Sequence, residues 1–285
     1  MIRSLRFALL TLALATVAPV AARADYLLGI TYFGNQLVRI DPTTGAGALV
    51  GNLGTNVAAF GLAQRGGNLY TFDSVDSTVR QINPTTGAAG SAINVGMPAV
   101  LGQGGLAFRA DGIGFVSSAL NPSSFAPEND LYRFDIATGT SALVGRSSTA
   151  LAGLAFLGGT LYGIGKTDDT LYTVNQTTAA LTAVGFLTAM AGSPIQSLTA
   201  GANGVLYGTF DDRLFAINPL TGLATAVDSD PSNDTGFSSI SGLTYVVTPA
   251  AVPEPASVVL LGLGGLALTM GYTLRSRPAR PGQLD

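Results

Sequence analysis

Any chemistry in this chain falls to carboxylates and tyrosine. Its 285 residues contain no histidine and no cysteine, which removes the usual general base, the usual metal ligand and every Ser-His or Cys-His nucleophile. Aspartates instead gather in short stretches: Asp73 and Asp76, Asp130, Asp168 and Asp169, Asp211 and Asp212, with Asn35 at the corresponding place near the N-terminus. Paired carboxylates can act as acid and base in glycoside hydrolysis. Asp is equally at home in hairpin turns, so the residue type alone does not choose between the two. The stretch Asp228-Ser-Asp230-Pro-Ser-Asn233-Asp234 offers oxygens that could hold Ca²⁺ through Asp228, Asp230 and Asp234. It departs from an EF-hand loop in lacking glycine at the sixth position and an acid at the twelfth, and the plainer reading is a solvated linker. No other cofactor is expected.

The elements that would position these acids are repeated. Asp41-Pro-Thr-Thr-Gly45, Asn83-Pro-Thr-Thr-Gly87, Asp135-Ile-Ala-Thr-Gly139, Asn175-Gln-Thr-Thr-Ala179 and Asn218-Pro-Leu-Thr-Gly222 are one turn used five times, at spacings of 42, 52, 40 and 43 residues. Asp or Asn bonds the backbone two residues on, Pro presets φ, and Gly supplies the left-handed residue that returns the chain. The fourth copy lacks both Pro and Gly and is expected to be the loosest.

Three strands precede each turn except the first, which has two. Nearest are Leu37–Ile40, Thr78–Ile82, Leu131–Phe134, Leu171–Val174 and Leu214–Ile217; before them come Leu27–Tyr32, Leu69–Phe72, Ile113–Val116, Leu161–Ile164 and Leu206–Thr209. The earliest carry Gly61-Leu-Ala, Gly105-Leu-Ala, Gly153-Leu-Ala, Ser197-Leu-Thr and Gly242-Leu-Thr. With a strand after the turn, such as Ala48–Val50, each unit is a four-stranded antiparallel meander of about 44 residues, the size of a propeller blade. The first unit starts at its second strand, and Gly242–Val246 is a first strand with nothing after it. Pairing the two closes a ring and removes an exposed sheet edge. The fold class is therefore all-β: a five-bladed β-propeller of four-stranded antiparallel blades closed by a C-terminal strand, spanning residues 25–248, with an N-terminal signal helix before it and a C-terminal transmembrane helix after it. The loops joining second to third strands emerge on one face, and they carry the aspartates named above. Trp is absent, so the repeats are not of the WD40 type; they resemble bacterial exported propellers.

Two terminal segments frame this domain. Residues 1–24 hold Arg3 and Arg6, an apolar stretch from Phe7 to about Val20, and Ala22-Arg23-Ala24, the parts of a secretory signal peptide cleaved by signal peptidase after Ala24. Residues 249–256 form a proline-rich linker, 257–274 an uncharged apolar span of minimal transmembrane length, and 275–285 a basic tail. Arg275, Arg277 and Arg280 after the span place the C-terminus in the cytoplasm and the domain outside.

The order Val252-Pro253-Glu254-Pro255-Ala256, apolar span, arginine cluster resembles the PEP-CTERM sorting tails of Gram-negative bacterial export cargo. That resemblance implies a transient inner-membrane anchor, recognition of the Pro-Glu-Pro region by an exosortase, removal of the span, and delivery to the cell surface or outside the cell. It covers about a tenth of the chain and implies a destination, with no activity attached.

Composition narrows what the domain does outside. Between Asp25 and Val252 there are 8 basic and 15 acidic residues, net charge −7, with Lys166 the single lysine. Such a domain repels phosphate backbones, so nucleic acid is excluded as a partner. Without cysteines in an exported chain, burial must stabilise the fold without disulfides. The inner Gly-Leu-Ala strands carry no acids, whereas the five-bladed glycosidases that this outline resembles place theirs on inner strands. The expectation is a non-catalytic binding or structural module for glycan or protein at the cell surface or in an extracellular matrix. The alternative is a carboxylate-dependent glycoside hydrolase or lyase acting on extracellular polysaccharide. The expected binding face is that of Asp73, Asp76, Asp168, Asp169, Asp211 and Asp212.

Overall fold

A computed structural model describes residues 24–98, 104–118, 129–187, 195–227 and 235–248. Asp25–Thr248 forms one compact unit. The signal helix expected at 1–24 (Ala24 apart), the sorting tail from 249 onward and the Asp228, Asp230 and Asp234 cluster lie outside the described residues. Among the described residues no helix is long and apolar enough to cross a membrane.

The strands run β1 (Tyr26–Thr31), β2 (Gln36–Ile40), β3 (Gly47–Asn52), β4 (Ala59–Arg65), β5 (Asn68–Asp73), β6 (Thr78–Ile82), β7 (Ala89–Ile93), β8 (Leu106–Phe108), β9 (Gly114–Ser117) and β10 (Asp130–Asp135). They continue with β11 (Thr140–Arg146), β12 (Leu151–Leu157), β13 (Thr160–Gly165), β14 (Thr170–Val174), β15 (Leu181–Phe186), β16 (Thr199–Ala200), β17 (Leu206–Phe210), β18 (Arg213–Ile217), β19 (Ala224–Ala226) and β20 (Ile240–Val246). They form five four-stranded antiparallel sheets, four built from consecutive strands and the fifth in the order β20-β1-β2-β3. The last strand thus completes the first blade, in the register Tyr26↔Val246, Gly29↔Leu243 and Ile30↔Gly242.

Ring closure follows from how side chains alternate. Leu27 packs with Tyr207 and Leu214 of the fifth blade, while its neighbour Leu28 packs with Leu62 and Leu69 of the second. Because successive residues of a strand point to opposite faces, every blade buries both faces against two neighbours. Each of the five hydrophobic clusters accordingly draws on two adjacent blades, including the fifth with the first. Burying one Leu or Ile in this way contributes roughly 1.5–3 kcal/mol.

The Gly-Leu-Ala triplet has a direct explanation in this packing. A Cβ on Gly105 would lie 2.2 Å from the Leu154 nitrogen, and one on Gly242 would lie 2.5 Å from the Gly61 carbonyl carbon. Glycine lets the inner strands meet near the axis, Leu106 then fills the cluster shared with the second blade, and Ala107 the one shared with the fourth. What remains on the axis is a channel of about 130 Å³, small beside the roughly 300–1,000 Å³ of ligand pockets. In the fifth blade Ser197 replaces this glycine, and β16 shrinks to Thr199–Ala200, shorter than the Ser197-Leu-Thr strand expected. The Ser197 hydroxyl accepts the Thr209 N–H, so a side chain takes over a bond that a longer ladder would have made.

The repeated turn is equally regular. In each copy the fifth residue's N–H donates to the first residue's carbonyl, at 2.9–3.0 Å for Gly45, Gly87, Gly139, Ala179 and Gly222. The first side chain accepts nearby backbone N–H groups, as Asp41 does from Thr43 at 2.7 Å. The Thr43 hydroxyl and then its N–H hold the Asp41 carboxyl below the ordinary value. The expectation that the fourth turn is loosest is corrected: Asn175 accepts from Thr177 and Thr178 at 2.9 and 3.1 Å. Ala179 adopts φ 61°, and its methyl is fully buried in the cluster between the third and fourth blades. Burial and the Asn175 bonds hold a non-glycine residue in a conformation that costs about 1–2 kcal/mol.

Candidate functional site

The loops between second and third strands share one face of the ring. Four of them contain a residue with positive φ, namely Asn35 (47°), Ser77 (55°), Asp169 (46°) and Asp211 (51°). Asn and Asp tolerate this left-handed region better than other non-glycine residues. That requirement accounts for Asn35, Asp169 and Asp211, and leaves the other acids of these loops to be explained by their partners.

The structure brings the aspartates together within blades. In the second blade Asp73, 1% exposed, accepts Arg80 Nε at 2.9 Å, and Arg80 also donates to Asp76 at 3.1 Å. Asp76 further accepts the Thr78 hydroxyl. In the third, Asp130 takes Arg146 through both carboxylate oxygens, at 2.7 and 3.3 Å. The two pairs have the same chemistry and different supports, because the Arg80 side chain is 16% exposed and that of Arg146 65%. In the fifth blade Asp211 accepts the Ser239 N–H at 3.2 Å, which ties its loop to the segment leading into β20; the next residue, Asp212, accepts the Thr235 N–H through its carbonyl. In the first, Asn35 accepts the Val57 N–H at 2.9 Å.

The fourth blade is different. Asp168 accepts the Tyr172 hydroxyl at 2.7 Å, yet its Oδ1 and that of Asp169 are shielded from solvent without a hydrogen-bond partner. Burial, and then the adjacent Asp168 charge, push the Asp169 carboxyl above the ordinary value. Burial pushes the Lys166 ammonium down. Burial and the Asp168 bond raise the Tyr172 phenol. Among the described residues no group of three acids is close enough to hold a metal ion.

The same face carries apolar features that the acid pattern did not reveal. Phe33, 80% exposed, stands edge-on to Tyr32 with centroids 4.8 Å apart, and Tyr32 stacks on Phe60 at 5.0 Å. Val75, 73% exposed, tips the corresponding loop of the second blade. The Tyr32-Phe33 pair could have been noticed as adjacent aromatics where an expected strand enters its turn. Phe60 could not, because its place beside them depends on blade packing.

Residues 251–277 match the model of the PEP-CTERM protein-sorting motif. This chain carries an exosortase sorting signal. A PEP-CTERM motif marks an exported protein with a C-terminal membrane anchor before processing, and the domain described above is its cargo. No curated protein sequence matches the chain. Among solved structures, a candidate gluconolactonase is 14% identical with a TM-score of 0.50, covering 75% of this chain and 83% of its own. A chain of a nidogen/laminin complex is 10% identical with a TM-score of 0.53, covering 79% and 99%. At such identities the likeness is one of fold. Proteins with titles as different as these share the architecture, so the architecture does not select an activity.

Proposed function

We propose that the Asp25–Thr248 propeller is a non-catalytic binding and structural module, displayed at the cell surface or in an extracellular polysaccharide matrix after exosortase processing, with glycan or protein as partner. The observation that supports this best is the fate of the carboxylates: Asp73, Asp130 and Asp211 are each held by an arginine or a backbone N–H and serve the scaffold. Beside the exposed Asp76 and Asp211, the face presents Phe33 and Val75 on loops anchored to a rigid sheet, and loops of that kind commonly bind.

The domain contains all five hydrophobic clusters and its own closing strand, so it is a self-sufficient unit for assay. Incubated with a panel of extracellular polysaccharides, it is expected to be retained saturably without producing reducing ends. Steady release of reducing ends would overturn the reading. One observation favours the hydrolase or lyase alternative, namely the unpartnered oxygens of Asp169 and of Asp168, which also accepts the Tyr172 hydroxyl, with the Asp169 carboxyl raised above its ordinary value. Turnover abolished by Asp169→Asn would select it. For the Ca²⁺ candidate formed by Asp228, Asp230 and Asp234, calorimetry at millimolar Ca²⁺ is the test, and absence of heat removes it.

A further inference from the structure

We propose that a groove between the third and fourth blades, on the face opposite the aspartate loops, binds a carboxylate-bearing glycan, with the guanidinium of Arg133 receiving a uronic-acid carboxylate. The inference rests on the binding-module reading and gives it a ligand class and a place. The groove encloses about 630 Å³, inside the roughly 300–1,000 Å³ of ligand sites. It runs from Arg109 and Arg133 on the third blade to Thr160, Thr173, Gln176 and Thr182 on the fourth.

Its charge stands out in a domain of net charge −7. Arg39 lies over Tyr26, Arg65 reaches Asp135, Arg80 and Arg146 hold Asp73 and Asp130, Arg109 holds Asp111, and Arg213 lies over Phe215. Arg133 is exposed and, among the described arginines, alone has no hydrogen-bond, ion-pair or ring partner. Two acids of the same blade are taken by other arginines, Asp135 by Arg65 at 3.7 Å and Asp111 by Arg109 at 2.7 Å.

The far wall is built by the departure from the repeated turn. Gln176 stands where three other copies have proline. It accepts from Arg109 at 3.2 Å and donates to the Gly159 carbonyl at 3.0 Å, bridging the two blades beneath the groove. Proline could make neither bond. A planar guanidinium fork suits a carboxylate bidentately, and the threonine hydroxyls offer donors and acceptors for sugar hydroxyls. A single arginine free of acids in a groove of an acidic domain favours a ligand charged at intervals over a dense polyanion. The two large apolar residues of the lining, Leu161 and Val174, are buried, so the surface offered to a ligand is mainly hydroxyl, amide and guanidinium, which favours glycan over protein.

The test is calorimetric titration of the Asp25–Thr248 domain with trimers of galacturonate, glucuronate and mannuronate, and with their neutral carboxyl-reduced counterparts. At least one uronate trimer is expected to bind, with its neutral counterpart about tenfold weaker or worse. Arg133→Ala should weaken the acidic ligand by about ten- to a hundredfold with an unchanged thermal midpoint, and Arg133→Lys should restore only part because it keeps the charge and loses the fork. Thr173→Val, which leaves both arginines, should weaken acidic and neutral trimers alike.

Equal affinity for acidic and neutral trimers, or Arg133→Ala binding like the parent, overturns the inference. If the domain is still retained on other polysaccharides, the binding-module reading survives that result. Absence of retention on every polysaccharide and protein offered sinks both. An acidic tetrapeptide that outcompetes every uronate would reassign the groove to a protein partner and overturn the glycan assignment.

Discussion

Truncating Leu243 to alanine tests whether β20 is the clasp of the ring. Leu243 is 1% exposed and packs with Leu27, Val38, Ile40, Tyr207, Leu214 and Ile240, where the first and fifth blades meet. Leu→Ala at a site that cannot collapse costs about 2–5 kcal/mol, and glycine-tight contacts at Gly242 leave the strand little room to shift. Taking about 3 kcal/mol, and about 2–4 °C per kcal/mol for a domain of this size, the thermal midpoint should fall by about 6–12 °C. The assay is thermal unfolding followed by far-ultraviolet circular dichroism, with Leu220→Ala, at an 83% exposed position, as the neutral control. Leu27 is a diagonal neighbour of Leu243 across the β1–β20 pair, so Leu27→Ala and Leu243→Ala should couple by about 0.5–3 kcal/mol. Leu161, in the cluster between the third and fourth blades, should add independently. A Leu243→Ala loss below about 1 kcal/mol, or strict additivity with Leu27→Ala, would refute the closed ring as the source of stability.

Three other outcomes are expected. Gly87→Ala should cost more than about 2 kcal/mol, because its Cβ would sit 2.7 Å from the Gly51 carbonyl oxygen at φ 78°, whereas Ala179→Gly, exchanging strain relief for a lost buried methyl, should stay within about 1 kcal/mol by urea denaturation. Burial and the bond to Asp25 push the Tyr245 phenol up to about 12. The unfolded chain then ionises first, so stability is lost as pH rises from about 10 through 12, and Tyr245→Phe should remove that part of an alkaline unfolding profile. The raised Asp169 carboxyl has the corresponding sign: its contribution is present below the ordinary aspartate value and lost as pH rises through the higher folded one. Asp169→Asn should therefore raise the thermal midpoint at pH 7, the gain shrinking as pH falls into the ordinary aspartate range.

The repeated turn was legible because its requirements are local. Asp41, Pro42 and Gly45 state their dihedrals and hydrogen bonds in five letters, and the alternation in Leu37–Ile40 states a strand. The closing pair of β1 and β20 was legible as well, since an unmatched strand at each end leaves few other ways to bury both. The fourth turn was misjudged because part of what holds Ala179 is not in the turn; the cluster between two blades that buries its methyl adds to the Asn175 bonds. The aspartates were legible as positions and ambiguous as chemistry. Whether a carboxylate is spent on an arginine, as Asp73 is on Arg80, depends on a neighbour across a strand pair, and propensity does not report it.

By itself the amino-acid sequence determined the destination and the blade. A sorting motif is read by its own residues, and turn chemistry and period-two burial act over a few residues at a time. Only the tertiary structure decided which side chains meet. Arg133 and Gln176 belong to different blades and lie 43 positions apart in the chain, and the groove they share exists because inner strands approach at glycine and set the wedge between sheets. Tyr32 and Phe60 stack for the same reason. Contacts between blades depend on the angle at which one sheet packs on the next, and that angle is set by the sum of the core clusters and by no single stretch of residues.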